Sequence, residues 1–261
     1  MEIKGLEDLG FDEMALFELE MKISSYRSTA SCAVLINPKT ARLKRMKKTV
    51  TTAAKAIQER LGGKNSGFRA AMITLTYAKV DSWDKNHIKQ FLNVVRQWLA
   101  RRGFKFRYVW TAELQKRGAV HYHCVIWLPK NVKIPKPDKA GWWKHGHSNC
   151  CFAARPVGYI VKYASKANET GLKFPKGIRI CGFGGLDQLQ KCELRWHRAP
   201  AFVRRDIPMT GSDIRKMKGG YFCKNTLQEV ISHWKFIGFV MKVPVFVCIP
   251  PCEFYLLQVT S

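Results

Sequence analysis

Apolar residues at Ile88, Phe91, Leu92, Val95, Trp98 and Leu99 recur at the three- and four-residue intervals of one helical face within SWDKNHIKQFLNVVRQWLARRG. The pattern predicts an amphipathic helix opened by Ser82 or Asp84 and stopped by Gly103. Ahead of it, FRAAMITLTYA (Phe68 to Ala78) is an apolar, β-branched run of the kind a central strand uses. Behind it, FKFRYVWTAEL alternates strictly. Phe104, Phe106, Tyr108, Trp110 and Ala112 fall on one face, and Lys105, Arg107, Val109, Thr111 and Glu113 on the other. This predicts an amphipathic strand running toward AVHYHCVIWLP (Ala119 to Pro129), which is itself of buried-strand type. Lys116-Arg117-Gly118 between them suits a three-residue hairpin loop with glycine at the left-handed position. Centring the loop on Arg117 pairs Gln115 with Ala119 and Glu113 with His121.

The flanks are less sharply patterned. Residues 37–64 read as a basic helix closed by Gly62-Gly63, its charged face suited equally to solvent or to phosphate. After Pro129 a Pro- and Lys-rich loop leads to a short strand and a helix from about Arg155 to Ala167. The expected organisation is an acidic appendage over residues 1–36, a catalytic core with the basic helix leading it over 37–170, and a basic C-terminal extension over 171–261.

Composition narrows the class. With 261 residues and 46% hydrophobic positions the chain can bury a substantial core, and a net charge of +26 points to a polyanionic partner, nucleic acid first. Residues 1–36 run against this balance, with seven acids and three bases; such a head is either a separate appendage or folds back over the basic surface. No GxxxxGK[ST] loop occurs, so no nucleotide cofactor is expected. The longest apolar stretch, Phe236 to Pro251, is interrupted by Lys242 and Pro244 and falls short of a membrane span. MEIKGLEDLGFDEM has neither the basic start nor the apolar core of a secretory signal, so the nine cysteines are expected to be reduced thiols in a cytoplasm.

The chemistry gathers at the hairpin. Residues two apart in a strand share a face about 7 Å apart, so His121 and His123 project together while Tyr122 and Cys124 point away. Glu113, opposite His121, adds a carboxylate. Two imidazoles and one carboxylate leave coordination positions open, as a catalytic metal requires; the plainer reading is a pair of half-buried polar residues. In YIVKY, Tyr159, Lys162 and Tyr163 share one helical face. They suit a tyrosine nucleophile with a lysine that neutralises developing phosphate charge, or, more plainly, two core aromatics.

The order of these motifs resembles the HUH class of rolling-circle replication initiators. ITLTY (Ile73 to Tyr77) is similar to that family's first motif, His121-Tyr122-His123 to its HUH triplet, and Tyr159-Ile160-Val161-Lys162 to its YxxK motif. The doubled form YIVKYASK most resembles initiators of single-stranded DNA phages, the filamentous type included. The likeness spans about residues 68–170, with only a loose continuation in FPKGIRICGFGGL. It implies an α+β fold built on a central antiparallel sheet of about five strands with flanking helices, ferredoxin-like or RNA-recognition-motif-like, with further C-terminal α/β elements. It also implies Mg²⁺ or Mn²⁺ on Glu113, His121 and His123, attack by Tyr159 to give a 5′-phosphotyrosine and a 3′-OH primer, and a second cleavage by Tyr163. The YxxK alignment favours Tyr159 as the first nucleophile, though the two roles are exchangeable. The implied partners are single-stranded or supercoiled origin DNA and a bacterial host's polymerase and helicase, with the protein in the host cytoplasm.

Arg101, Arg102, Lys105, Arg107 and Lys166 are the expected DNA-backbone contacts. Trp142 and Trp143 suit base stacking or core packing equally. His145, His147, Cys150 and Cys151 carry zinc-ligand chemistry at too compressed a spacing, and read better as turn residues entering a strand. His87, His197 and His233 stand alone, and Asp81 and Asp84 read as helix caps. A relaxase or HUH transposase would share this chemistry. A different class of protein, a non-catalytic DNA-binding replication or regulatory protein, would use HYH and YIVKY only structurally.

Overall fold

A computed structural model describes residues 1–7, 9–61, 66–166 and 173–249. The chain divides into two compact units: Leu43–Asp213 form one, and Met1–Arg42 with Ile214–Ser261 form the other. The fold is α+β, with a five-stranded antiparallel sheet, six α-helices among the described residues, and further sheets formed toward the C terminus. No helix among the described residues is long and apolar enough to cross a membrane.

The larger unit is organised around β3 (Phe68–Thr76), β4 (Arg107–Leu114), β5 (Val120–Pro129), β6 (Ser148–Ala153) and β7 (Cys181–Gly184), in the order β6-β3-β5-β4-β7. The hairpin register is the one the sequence predicts. Glu113 pairs with His121, the Gln115 amide donates to the Ala119 carbonyl at 2.9 Å, and Gly118 takes the left-handed conformation at φ 89°. Strand β3 lies on the other side of β5, setting Thr76 opposite His121 and Thr74 opposite His123.

Helices α2 (Pro38–Leu61), α3 (His87–Ala100), α4 (Pro156–Lys166) and α5 (Gln188–Arg198) contribute to one core with this sheet, and α6 (Ala201–Asp206) follows. The apolar stripe of α3 is buried as its periodicity predicts, Trp98 only partly so. Its start differs: the N-cap is Asn86, after a 3₁₀ turn at Val80–Ser82, and the Asp84 carboxylate instead accepts from the Asn86 amide at 2.7 Å. Strand β4 is not the two-toned element its alternation suggests. Val109 and Thr111, on its supposedly polar face, are fully buried, because that face is covered too: the Thr111 hydroxyl donates to Met46 Sδ of α2 at 3.4 Å, and α4 packs on β4. The expected glycine stop of α2 and the last residue of the Arg155–Ala167 helix lie outside the described residues.

The other unit pairs the two ends of the chain. Strand β1 (Glu2–Lys4) runs parallel to β2 (Cys32–Leu35), β2 antiparallel to β12 (Val243–Cys248), and β12 antiparallel to β11 (Trp234–Val240). Helix α1 (Glu13–Ser24), capped by the Asp12 carboxylate accepting from the Ala15 amide, buries Ala15, Leu19 and Ile23 in a core with Val243, Val245 and Val247. A three-stranded antiparallel sheet, in the order β10-β9-β8, is built from β8 (Ile214–Met217), β9 (Gly220–Cys223) and β10 (Glu229–Ile231).

Candidate metal and tyrosine site

Strand alternation and register bring six functional side chains onto one face of the sheet. Thr76, His121 and Glu113 form one cross-strand row, and Thr74, His123 and Thr111 the next. On the opposite face Tyr122 is fully buried, accepts from Trp83 Nε1 at 2.8 Å and packs edge-on to Trp110. The residue between the histidines therefore anchors the strand.

Glu113 Oε1 lies 3.0 Å from His123 Nε2 and 3.6 Å from His121 Nδ1. Among the described residues, Glu113, His121 and His123 form the one group of three or more acid, His or Cys ligands whose donor atoms all lie within 4.8 Å of one another. The Glu113 side chain is 14% exposed and that of His123 3%. Close as they are, His123 Nε2 and Glu113 Oε2 are buried with no hydrogen-bond partner. Buried polar atoms left unpaired are costly, and here they converge on one point. The donor set fits a divalent metal ion. Burial raises the Glu113 carboxyl, but the hydrogen bonds and charge of His121 and His123 outweigh it and hold it at about 2. Burial pushes His123 below the usual histidine value, against the pull of Glu113. Both shifts favour the ligand forms, carboxylate and neutral imidazole.

The rear nitrogen of each histidine meets a threonine of β3. His121 Nε2 contacts Thr76 Oγ1, and His123 Nδ1 lies 3.4 Å from Thr74 Oγ1 and 3.2 Å from the Tyr159 hydroxyl. Thr74 and Tyr159 are themselves 3.2 Å apart, closing a three-membered polar cluster behind His123. These hydroxyls fix ring orientation and tautomer. Only the pairing of β3 with β5 reveals them; the threonine-rich end of the strand is the sole hint in the sequence.

Helix α4 supplies both tyrosines, held by its buried residues Ile160 and Ala164. Tyr163 stacks flat on the His123 imidazole, with centroids 3.5 Å apart and planes 15° apart. Tyr159 meets that ring nearly edge-on at 6.0 Å. Burial raises the Tyr159 phenol, opposed by its bond to Thr74. Lys162 is exposed, its ammonium 5.9 Å from the Tyr163 ring, and the charge of Lys166 acts on His123.

The other expected contacts divide. Arg107 begins β4, six residues and about 20 Å of strand from Glu113, with its guanidinium 5.9 Å from the Phe68 ring. Arg101, Arg102 and Lys105 are exposed ahead of it, Arg102 stacking on Trp98 at 4.3 Å. The structure thus brings Lys162 and Lys166 to the tyrosine site but not these four. Trp143 is core, donating to the Thr76 carbonyl at 3.1 Å, and Trp142 packs edge-on to Trp98. His145 and His147 enter β6 as turn residues. His87 does not stand alone: it stacks on His145 at 3.5 Å and contacts the Tyr77 hydroxyl at 3.1 Å.

A family model for replication-associated proteins of the ORF2 type matches residues 70–168. The matched segment runs from β3 through α4 and so contains the whole metal and tyrosine site. The match supports a part in DNA replication. Neither the curated proteins nor the solved structures returned a match to this chain.

Proposed function

We propose that this chain is an HUH-class, site-specific single-strand DNA endonuclease and ligase that initiates rolling-circle replication of a phage or plasmid through a phosphotyrosine intermediate. The observation that carries the reading is the buried Glu113–His121–His123 group, with its unpaired ligand atoms, directly beneath two tyrosines of one helix. Glu113, His121 and His123 would hold a divalent ion, Mg²⁺ or Mn²⁺, which when bound supplies Lewis-acid polarisation of a scissile phosphate.

The chain's own residues do the rest. With His123 Nε2 reserved as a ligand, Nδ1 carries the ring proton and donates it toward the Tyr159 hydroxyl. That polarity makes the Tyr159 oxygen an acceptor and stabilises its phenolate against the cost of burial. The phenolate oxygen attacks phosphorus, the P–O3′ bond breaks, and the strand ends as a 3′-OH primer and a 5′-phosphotyrosine. Lys162 lies on the exposed side, where it can neutralise charge on the non-bridging oxygens. Because the new ester keeps a phosphodiester's energy, attack by a 3′-OH reverses the step without a nucleotide cofactor. Tyr163, one turn along the helix, can cleave a second strand while Tyr159 remains loaded.

The test is a denaturing gel of protein incubated with single-stranded origin DNA, with Mn²⁺ or with EDTA. A covalent adduct that requires the metal and disappears in the Tyr159→Phe/Tyr163→Phe double variant is expected. Binding of verified origin DNA with no adduct would sink the catalytic reading and leave a DNA-binding replication protein.

A further inference from the structure

Helices α2 and α5 pack antiparallel. The Gln190 amide donates to the Ala56 carbonyl at 2.6 Å, and Arg60 pairs with Asp187 at 3.3 Å, so the chain ascends α5 as it descends α2. Two turns further along, this alignment sets His197 beside Lys48, with Lys55 between that point and Ala56. Helix α6 adds Arg204, whose guanidinium lies 5.6 Å from the Trp196 ring and whose Nε is buried with no hydrogen-bond partner.

These four groups repel one another. Lys48 is pushed below the ordinary ammonium value by burial and then by the charge of Arg204. His197 is pushed down by burial and then by Arg204, Lys48 and Lys55, with Glu193 the acid acting against them. The nearby carboxylates are engaged elsewhere, Asp187 with Arg60, Asp213 with Arg195 at 2.6 Å and Asp206 with Arg205 at 3.0 Å. Among the described residues none forms an ion pair with Lys48, Lys55 or Arg204. A fold that crowds cations without internal counter-charge is poised to receive it from a bound polyanion.

We propose that Lys48, Lys55, His197 and Arg204 form a second DNA contact, separate from the metal and tyrosine site, that grips the phosphodiester backbone without reading sequence. The inference rests on the reading of the chain as a DNA-processing protein. Its place in the fold suits that use. Lys48 is two residues beyond Met46, which touches Thr111, and Thr111 stands opposite His123. The cation surface therefore lies on the side of the sheet that carries the metal ligands, flanking the path a strand would take to them. None of the four residues belongs to the motifs that mark the site.

The experiment measures affinity for a non-origin single strand and a non-origin duplex over a salt series, for the wild-type chain and for a Lys48→Gln/Arg204→Gln variant. Each lost phosphate contact lowers the slope of log affinity against log salt by about 0.7 on a single strand and about 0.9 on a duplex, so a drop of about 1.4 to 1.8 is expected on at least one probe. Mn²⁺ affinity should be unchanged. An unchanged slope on both probes in a folded variant would overturn the proposal. Should the double variant fail to fold, Lys55→Gln, at an exposed position, carries the test alone, with an expected drop of about 0.7 to 0.9. A wild-type chain with no salt-dependent DNA binding would remove the functional reading itself, a different failure from an unchanged slope.

Discussion

Replacing Thr74 with valine, and Tyr159 with phenylalanine, tests whether the hydroxyls behind His123 prepare it as a ligand. Both substitutions keep the shape of the side chain and remove one oxygen. In the wild-type chain Nδ1 of His123 faces the Tyr159 hydroxyl at 3.2 Å and Thr74 Oγ1 at 3.4 Å, while Nε2 faces Glu113. Holding the proton on Nδ1 leaves the Nε2 lone pair free; without a partner the proton is at liberty to move to Nε2, and the ring to turn. Loss of such a supporting hydrogen bond typically costs 10- to 100-fold in metal affinity, about 1.4 to 2.7 kcal/mol.

The geometry ranks the variants within that range. Thr74 makes the longer contact and leaves Tyr159 behind as a substitute, so Thr74→Val should lie near the lower end, about tenfold. Tyr159→Phe removes the shorter contact and should cost more. The double variant has no hydroxyl left on Nδ1 and should approach about 100-fold. Since each oxygen can stand in for the other, the single losses should not simply add in free energy, the signature of a shared partner. Isothermal titration with Mn²⁺ gives all four affinities, and thermal unfolding confirms that each variant folds. If the double variant binds Mn²⁺ within twofold of wild type, the hydroxyls do not set the state of His123 and the activation assigned to Tyr159 loses its basis.

Further outcomes follow from burial and charge. Glu113 sits at about 2, below its unfolded value, so it contributes stability to the metal-free protein above the ordinary carboxylate range that is lost as pH falls through about 2. Glu113→Gln should flatten the pH dependence of unfolding between about pH 4.5 and 2, by at most about 3 kcal/mol; an unaltered profile would show that the carboxylate is not held by the histidines. A side chain at Gly146 would collide with the Thr76 carbonyl and the Ala78 amide, at a φ of 154° that suits glycine. Gly146→Ala should therefore destabilise the protein by about 1 to 3 kcal/mol and weaken Mn²⁺ binding through the Thr76–His121 contact, and native-like stability in chemical denaturation would refute this. Ile160 is fully buried under the tyrosine helix. Ile160→Ala should cost about 2 to 5 kcal/mol and lower adduct yield, while an unchanged unfolding midpoint would count against α4 being anchored there.

The hairpin was legible because local rules sufficed. Strict alternation from Phe104 to Leu114, a glycine at the third loop position and a second apolar run fixed one register, and that register alone places Glu113 opposite His121. What escaped was set by pairing between distant segments. Thr74 and Thr76 read as ordinary strand residues until β3 lies beside β5. The alternation of β4 was misleading for the same reason: Val109 and Thr111 look solvent-facing in a lone strand, but α2 and α4 cover them. Nothing local ties His87 to His145. The sheet that joins the chain's ends is the extreme case, with Ser31 and Cys248 bonded across 217 positions.

The two tyrosines occupy unlike positions around one histidine, and this asymmetry bears on the order of events. The Tyr159 oxygen is bonded to the ring's Nδ1, so the state of His123 reaches it directly. Tyr163 lies face to face with the same ring and shares no hydrogen bond with it, so its hydroxyl is not tuned through that nitrogen. A first cleavage by Tyr159 therefore follows from the geometry in the resting protein. Once Tyr159 is esterified its oxygen carries no charge and accepts only weakly, Thr74 becomes the better acceptor for the ring proton, and Tyr163 becomes the remaining free phenol at the site. Tyr163→Phe should then leave the first adduct intact while abolishing the second cleavage. Tyr159→Phe should slow the first adduct markedly, and equal first-adduct rates for the two single variants would show that the ring nitrogen does not choose the nucleophile.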